Sequence, residues 1–233
     1  MALFVKHHPC QSCGSRDNLG EYSDGSYFCF GCHYYSPPTR PGHTRTGGSS
    51  TKGASLPTND GGYDLSPLCL QLLQVRGISP EVAIRNGIFY HKPRDQLCIP
   101  FKDAEGNTCF VQARNLHPKS KTKYYNYGDK SEHWQFYGMS DTVVLTEDAF
   151  SAIRVGEVFC GYPILGTSIQ KERLVRLSER FERVFVWLDS DKWDASRRIS
   201  EQLQLLGVDS RSLYSKEDPN RLTKDEIVRT ITT

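Results

Sequence analysis

The chain has 233 residues, 37% of them hydrophobic and 24% charged, with a formal net charge of +2. That length allows one large or two small domains, and so mild a positive balance decides neither for nor against a polyanionic partner. No stretch approaches ~20 consecutive apolar residues, which excludes a spanning helix, and the opening MALFVKHHPC lacks the apolar core of an export signal. A cytoplasmic location is therefore expected, with the cysteines acting as metal ligands or buried thiols rather than disulfides.

Residues 1–35 hold four of the eight cysteines and many aromatics. Residues 36–62 are rich in Gly, Pro, Ser and Thr and read as a flexible linker. Apolar periodicity returns at Tyr63. Helices are expected over 66–76 and 79–86, the second capped by Ser79 with Pro80 at its first position. Strands are expected over 96–101 and 108–114, around the turn DAEGN.

From 141 onward the pattern alternates between strand and helix. Val143–Leu145 is a short apolar run, 148–156 a helix ending at Gly156, and Ile164 and Leu165 lead into a Gly-Thr-Ser turn. Residues 170–182 are helical, with Leu174, Leu177 and Phe181 on one face, and Val184–Leu188 is a strong strand. Ala195, Ile199, Leu203 and Leu206 follow at helical spacing until Gly207, and a last strand is expected near 208–214. Such alternation implies a parallel sheet with helices on both faces.

Cys10-x2-Cys13 and Cys29-x2-Cys32 are two knuckles of the kind that give a tetrahedral zinc four thiolates. So short a segment has little core, so the metal would supply much of its stability. A haem attachment at Cys29–His33 and a redox dithiol are the competing readings. The upstream knuckle and the absence of an export signal argue against the first; the absence of a thioredoxin-like setting argues against the second. Cys69, Cys98, Cys109 and Cys160 sit among apolar neighbours and are expected in the core. Tyr27, Phe28, Phe30, Tyr34 and Tyr35 crowd the second knuckle, where they pack on the ribbon or stack on unpaired bases. His33 either packs there or donates to base edges.

Glu147 ends one strand, and Asp189 and Asp191 end another. Sites in parallel sheets form outside the carboxyl ends of strands, so these acids are expected at one edge. Converging carboxylates raise one another's pKa unless cations intervene, which points to magnesium or manganese. Taken singly, each acid also fits a helix cap or first-turn position. From Arg114 to Lys130, the residues Arg114, Lys119, Lys121, Lys123 and Lys130 interleave with Tyr124, Tyr125 and Tyr127; this is expected to be a polyanion-binding loop or simply a solvated one.

The stretches CQSCGSRDN, FCFGC, IPFKDAEGN, VQARN, VVLTEDAFSAI, LGTS, VFVWLDSDKWDASRR and KEDPNRL together resemble the DnaG-type bacterial and phage replicative primases, and most of all the primase half of phage primase–helicases. The resemblance implies an α/β chain (α+β overall). Its parts are a zinc ribbon at 1–35 that reads template, a linker at 36–62, a basic subdomain of the RNA polymerase domain at 63–140 and a TOPRIM parallel-sheet catalytic subdomain at 141–233.

It also implies a DNA-dependent RNA polymerase making short primers on single-stranded DNA from ribonucleoside triphosphates. Structural zinc would sit on Cys10, Cys13, Cys29 and Cys32, and catalytic magnesium or manganese on Glu147, Asp189 and Asp191. Asp218 would be a further acid, and Arg114, Lys121, Lys123 and Lys130 would contact nucleotide or template, as His33 would from the ribbon. The expected setting is the host cytoplasm if the chain is phage-encoded, alongside a separate replicative helicase and DNA polymerase.

Two positions depart from the family. Asp148 stands where Gly is usual, and Glu217 precedes Asp218 where Lys is usual. No G-x-x-x-x-G-K-[ST] loop occurs, so the chain carries no P-loop motor. The rival readings are a non-catalytic RecR-like zinc and TOPRIM clamp, disfavoured by the N-terminal ribbon and the full acidic set, and a TOPRIM nuclease.

Overall fold

The computed structural model describes residues 3–10, 15–30, 34–36, 55–59, 64–117, 120 and 122–233. Cys13, Cys32, His33, Lys119, Lys121 and most of the expected linker lie outside the described residues. Contacts divide the chain into two compact units, Met1–Ser49 and Ser50–Thr233. Among the described residues no helix is long and apolar enough to cross a membrane.

The first unit is an antiparallel sheet of β1 (Phe4–His8), β2 (Leu19–Tyr22), β3 (Tyr27–Cys29) and β4 (Tyr35–Ser36), in that order. His8 pairs with Leu19 and Leu19 with Cys29, so the end of β1 and the end of β3 lie at the same end of the sheet.

The second unit opens with α1 (Pro67–Val75) and α2 (Pro80–Arg85). Each begins with proline after a serine whose hydroxyl accepts a backbone N–H, Cys69 N to Ser66 and Val82 N to Ser79. Proline costs nothing there because its missing donor has no helical partner anyway. An antiparallel sheet follows: β5 (Phe89–His91), β6 (Gln96–Lys102), β7 (Thr108–Asn115) and β8 (Tyr124–Gly128). Strand β8 corrects the expectation of a basic loop over Arg114–Lys130. Arg114 lies on β7 and pairs with Tyr124 on β8. Only Tyr127 of β8 is buried, so the strand lacks the apolar run that would announce it.

The remaining elements are β9 (Tyr137–Gly138), β10 (Thr142–Thr146), α3 (Ala149–Val155), β11 (Cys160–Pro163), α4 (Lys171–Arg180), β12 (Arg183–Trp187), α5 (Trp193–Leu205) and α6 (Lys224–Thr232). They build a sheet in the order β12-β10-β11-β9, parallel except for β9. In place of a last full strand, residues 209–212 run parallel to β12 through isolated bridges at Arg183–Asp209 and Val186–Ser212.

Alternate residues of β10 and β12 serve opposite faces. Val143, Leu145, Val184 and Val186 pack with Leu174 and Leu177 of α4 and Ile199 and Leu203 of α5. Val144, Phe185 and Trp187 pack with Val155 of α3 and Ile227 and Ile231 of α6. Burial on both faces is why these strands read as unbroken apolar runs. Helix α3 also lies in the core beneath the β5–β8 sheet, so Phe150 and Ile153 share one cluster with Leu73, Leu97 and Phe110. Its backbone runs close over β11: a Cβ on Gly161 would stand 2.0 Å from the Ala152 carbonyl oxygen. Glycine there lets the helix sit low enough to aim its N-terminus at the sheet edge. Cys69, Cys98 and Cys160 are buried as expected, and Cys109 partly so.

Candidate active site at the carboxyl edge of the parallel sheet

Strands β10 and β12 are in parallel register, Thr146 beside Trp187. Glu147 follows the first directly and Asp189 lies two residues past the second, so both acids leave the sheet at its carboxyl edge. Burial pushes the Glu147 carboxyl up to about 7, and the charges of Asp189, Asp191 and Asp148 push the same way against Lys192. Its Oε2 is buried with no hydrogen-bond partner. Asp189 is driven up to about 6, first by burial and then by Asp218, Asp148 and Asp191. These five acids come from three chain segments, 147–148, 189–191 and 218, and their mutual repulsion is the electrostatic record of convergence.

Asp191 behaves differently. It is exposed, and a short ion pair with Lys192 holds its carboxyl below the usual range. Among the described residues no three His, Cys, Asp or Glu side chains stand close enough to hold one ion as placed.

Asp148 has a structural task. It is the N-cap of α3, accepting from the backbone N–H groups of Phe150 at 2.8 Å and Ser151 at 3.2 Å. Its second oxygen accepts from the Ser151 hydroxyl at 2.7 Å, and that hydroxyl accepts from Asn220 Nδ2 at 2.9 Å. Asn220 is 1% exposed and sits in the turn that begins at Asp218. The relay ties the Asp218 turn to the start of α3, which brings Asp218 to Asp189. Sequence reasoning missed this, although Asp148 followed by Ser151 at cap spacing was a signal for it.

Lys130 comes to the same edge. Its Nζ donates to the Leu165 carbonyl at 3.0 Å, and the Gly166 N–H donates to the Glu147 carbonyl at 3.3 Å. Leu165 adopts φ 56°, a left-handed conformation that costs a side-chain-bearing residue energy and clusters at functional loops. Arg173, unremarked in the sequence, fixes the segment behind Lys130 by donating to the carbonyls of Lys130, Ser131 and His133 at 2.7 to 2.9 Å. Arg114 and Lys123 engage Tyr124 instead of the acids: the Arg114 guanidinium lies 5.1 Å from the ring centroid and donates to its hydroxyl, and Lys123 lies 5.7 Å away.

In the first unit Cys10 and Cys29 are buried. The Cys10 N–H donates to the Ser15 carbonyl at 2.8 Å and the Cys29 N–H to the Tyr34 carbonyl at 2.7 Å. Both bonds join residues five apart. The donor chemistry suits zinc, which prefers thiolates; the carboxylate edge, with one buried oxygen unmatched, suits a hard cation.

This arrangement, a mostly parallel sheet joined to an antiparallel sheet through a shared helix, has the fold of solved DnaG-type primase cores. The chain superposes on the zinc-binding and RNA polymerase domains of the Aquifex aeolicus primase with a TM-score of 0.60 and 19% identity, over 72% of this chain and 56% of that one. On the primase fragment of the bacteriophage T7 primase-helicase protein the TM-score is 0.51 and the identity 21%, over 99% of this chain and 98% of that one. Among curated proteins it is homologous to the DNA helicase/primase of Enterobacteria phage T3, 26% identical over 86% of this chain. The chain spans 37% of the length of that relative. No family model matches it.

Proposed function

We propose that this protein is a DNA primase, a nucleotidyltransferase that joins ribonucleoside triphosphates on a single-stranded DNA template. The observation that carries the reading is the buried, unpartnered Oε2 of Glu147 among mutually repelling acids. Such an arrangement is costly in isolation and favourable around a cation. The phage T3 and primase-core likenesses support the same reading.

Glu147 and Asp189 would hold magnesium or manganese, Asp191 would join them on release from Lys192, and Asp218 adds its charge beside Asp189. When bound, the metal supplies charge stabilisation to the attacking 3′-oxygen and to the departing pyrophosphate. Lys192 and Lys130, at the same edge, contact phosphate oxygens and orient the triphosphate. Asp148 and Asn220 keep the Asp218 turn in register with α3. Arg114 and Lys123, held on Tyr124 away from the acids, contact the template or nucleotide, as does Lys121.

On the same reading, residues 1–35 form a four-cysteine zinc ribbon on Cys10, Cys13, Cys29 and Cys32, and His33 reads template bases. Residues 36–62 tether the ribbon at raised effective concentration, 63–140 form the basic subdomain and 141–233 the TOPRIM subdomain. A separate helicase and a DNA polymerase are the working partners.

The test uses single-stranded DNA, magnesium or manganese, and labelled ribonucleotides. Short RNA products that vanish in Asp189→Ala support the proposal. Shortened template indicates a nuclease, and tight binding without product indicates a clamp; either result sinks it.

A further inference from the structure

The carboxyl edge carries a feature that the acids do not use. Trp193 and Tyr214 are large aromatic side chains, 40% and 61% exposed. Their ring centroids lie 6.1 Å apart at 87°. An edge-to-face pair covers only one face of one ring, so ring faces remain open to a flat ligand.

Both residues are rigidly placed. Trp193 opens α5, two residues after Asp191. The buried Ser196 hydroxyl in the same helical turn donates to the Val186 carbonyl at 2.9 Å. The Leu213 N–H donates to that same carbonyl oxygen at 2.8 Å, fixing the residue just before Tyr214. On its other side Ser215 accepts from the indole N–H of buried Trp187 at 2.9 Å. One carbonyl of β12 therefore aligns the helix that carries Trp193 with the segment that carries Tyr214. Lys192 precedes the tryptophan and Lys216 follows the tyrosine by two residues. Arg197, one helical turn beyond Trp193, lies on the same face beside its partner Glu201. The acids nearby are Asp191, paired to Lys192, and Asp194 in the first turn of α5.

We propose that Trp193 and Tyr214 form a stacking platform that holds one nucleobase next to the acidic edge. Exposed aromatics with cationic neighbours suit single strands, because every base offers a π-face and the cations meet its phosphates. The assignment rests on the primase reading for the presence of nucleic acid at this edge. The base belongs to a strand or to a free nucleotide, and the chemistry of recognition is the same.

Tryptophan emission tests it on the full chain without added magnesium. Trp187 is 1% exposed and Trp134 half-buried, so quenching by added ligand reports mainly on Trp193. An oligothymidylate and an abasic oligomer of equal length separate stacking from phosphate attraction. The expected result is quenching by the thymidylate alone, lost in Trp193→Leu together with a roughly tenfold loss of affinity. Trp193→Phe should keep most of the affinity and Tyr214→Leu should lower it. Ribonucleoside triphosphate alone forms a second arm: quenching there assigns the base to the incoming nucleotide, and quenching by the oligomer alone assigns it to a strand. Equal binding of both oligomers, or unchanged affinity in Trp193→Leu, overturns the platform. Primer synthesis plays no part in this readout, so its absence removes the primase reading and leaves the platform. Unimpaired synthesis by Trp193→Leu, with unchanged KM for nucleotide and template, does the reverse.

Discussion

Glu147 and Asp189 leave neighbouring parallel strands at the same edge, and burial together with the Asp189 charge raises the Glu147 carboxyl to about 7. Unfolded, both groups ionise near the ordinary carboxylate range; folded, they ionise at about 7 and about 6. The folded state therefore holds more protons in between, and stability falls as pH rises through that window. Both groups are partly exposed, so screening keeps the penalty modest. The melting temperature of magnesium-free protein should carry a component that declines from about pH 4 to about pH 7, and Glu147→Gln should flatten it. Magnesium should raise the melting temperature more at the alkaline end. An increment independent of pH would contradict this account.

Lys192 competes with any cation for Asp191, through its short ion pair. Lys192→Met should let the Asp191 pKa rise toward the ordinary range and tighten magnesium binding severalfold, roughly the effect of removing one nearby charge. Calorimetric titration with magnesium measures it, and weaker binding in the variant would count against the competition.

Asp148 caps α3 through the N–H groups of Phe150 and Ser151. Asp148→Ala should cost about 1 kcal/mol by loss of the cap, and more if the Ser151–Asn220 relay loosens. Urea unfolding gives the total. The same substitution removes a charge that raises Glu147, so the Glu147 pKa should fall in a carboxylate titration followed by NMR.

Arg173 is largely buried, and its guanidinium satisfies three carbonyls of residues 130–133. Arg173→Met should destabilise the chain by roughly 3 kcal/mol, since charge-assisted bonds are lost and the carbonyls are left without a donor. Lys130 should then lose its fixed position at Leu165, which a raised KM for nucleotide would report. A variant as stable as wild type would remove the clamp from this account.

Purified protein should contain about one zinc per chain. Cys29→Ser should release it and unfold Met1–Ser49 while leaving the thermal transition of Ser50–Thr233 in place. A single shared transition lost in both units would contradict that independence.

Strands β10 and β12 were legible because burial on both faces writes a continuous apolar run into adjacent residues. Helices α1 and α2 were legible because Ser66-Pro67 and Ser79-Pro80 encode their starts within a few positions. Strand β8 was not, because a half-exposed strand of tyrosines flanked by lysines looks the same as a solvated loop until β7 pairs with it. Sequence order alone therefore determined the types of β6, β7, β10 and β12 and of helices α1 to α5, the knuckle spacing, and the position of Glu147 and Asp189 just past strand ends. Only the tertiary structure decided that Asn220 anchors to Ser151 beside the Asp148 cap, and that Lys130 reaches Leu165. Local periodicity is carried by neighbours along the chain, whereas these contacts join segments tens of residues apart, and their energies exist only once the sheet has brought the segments together.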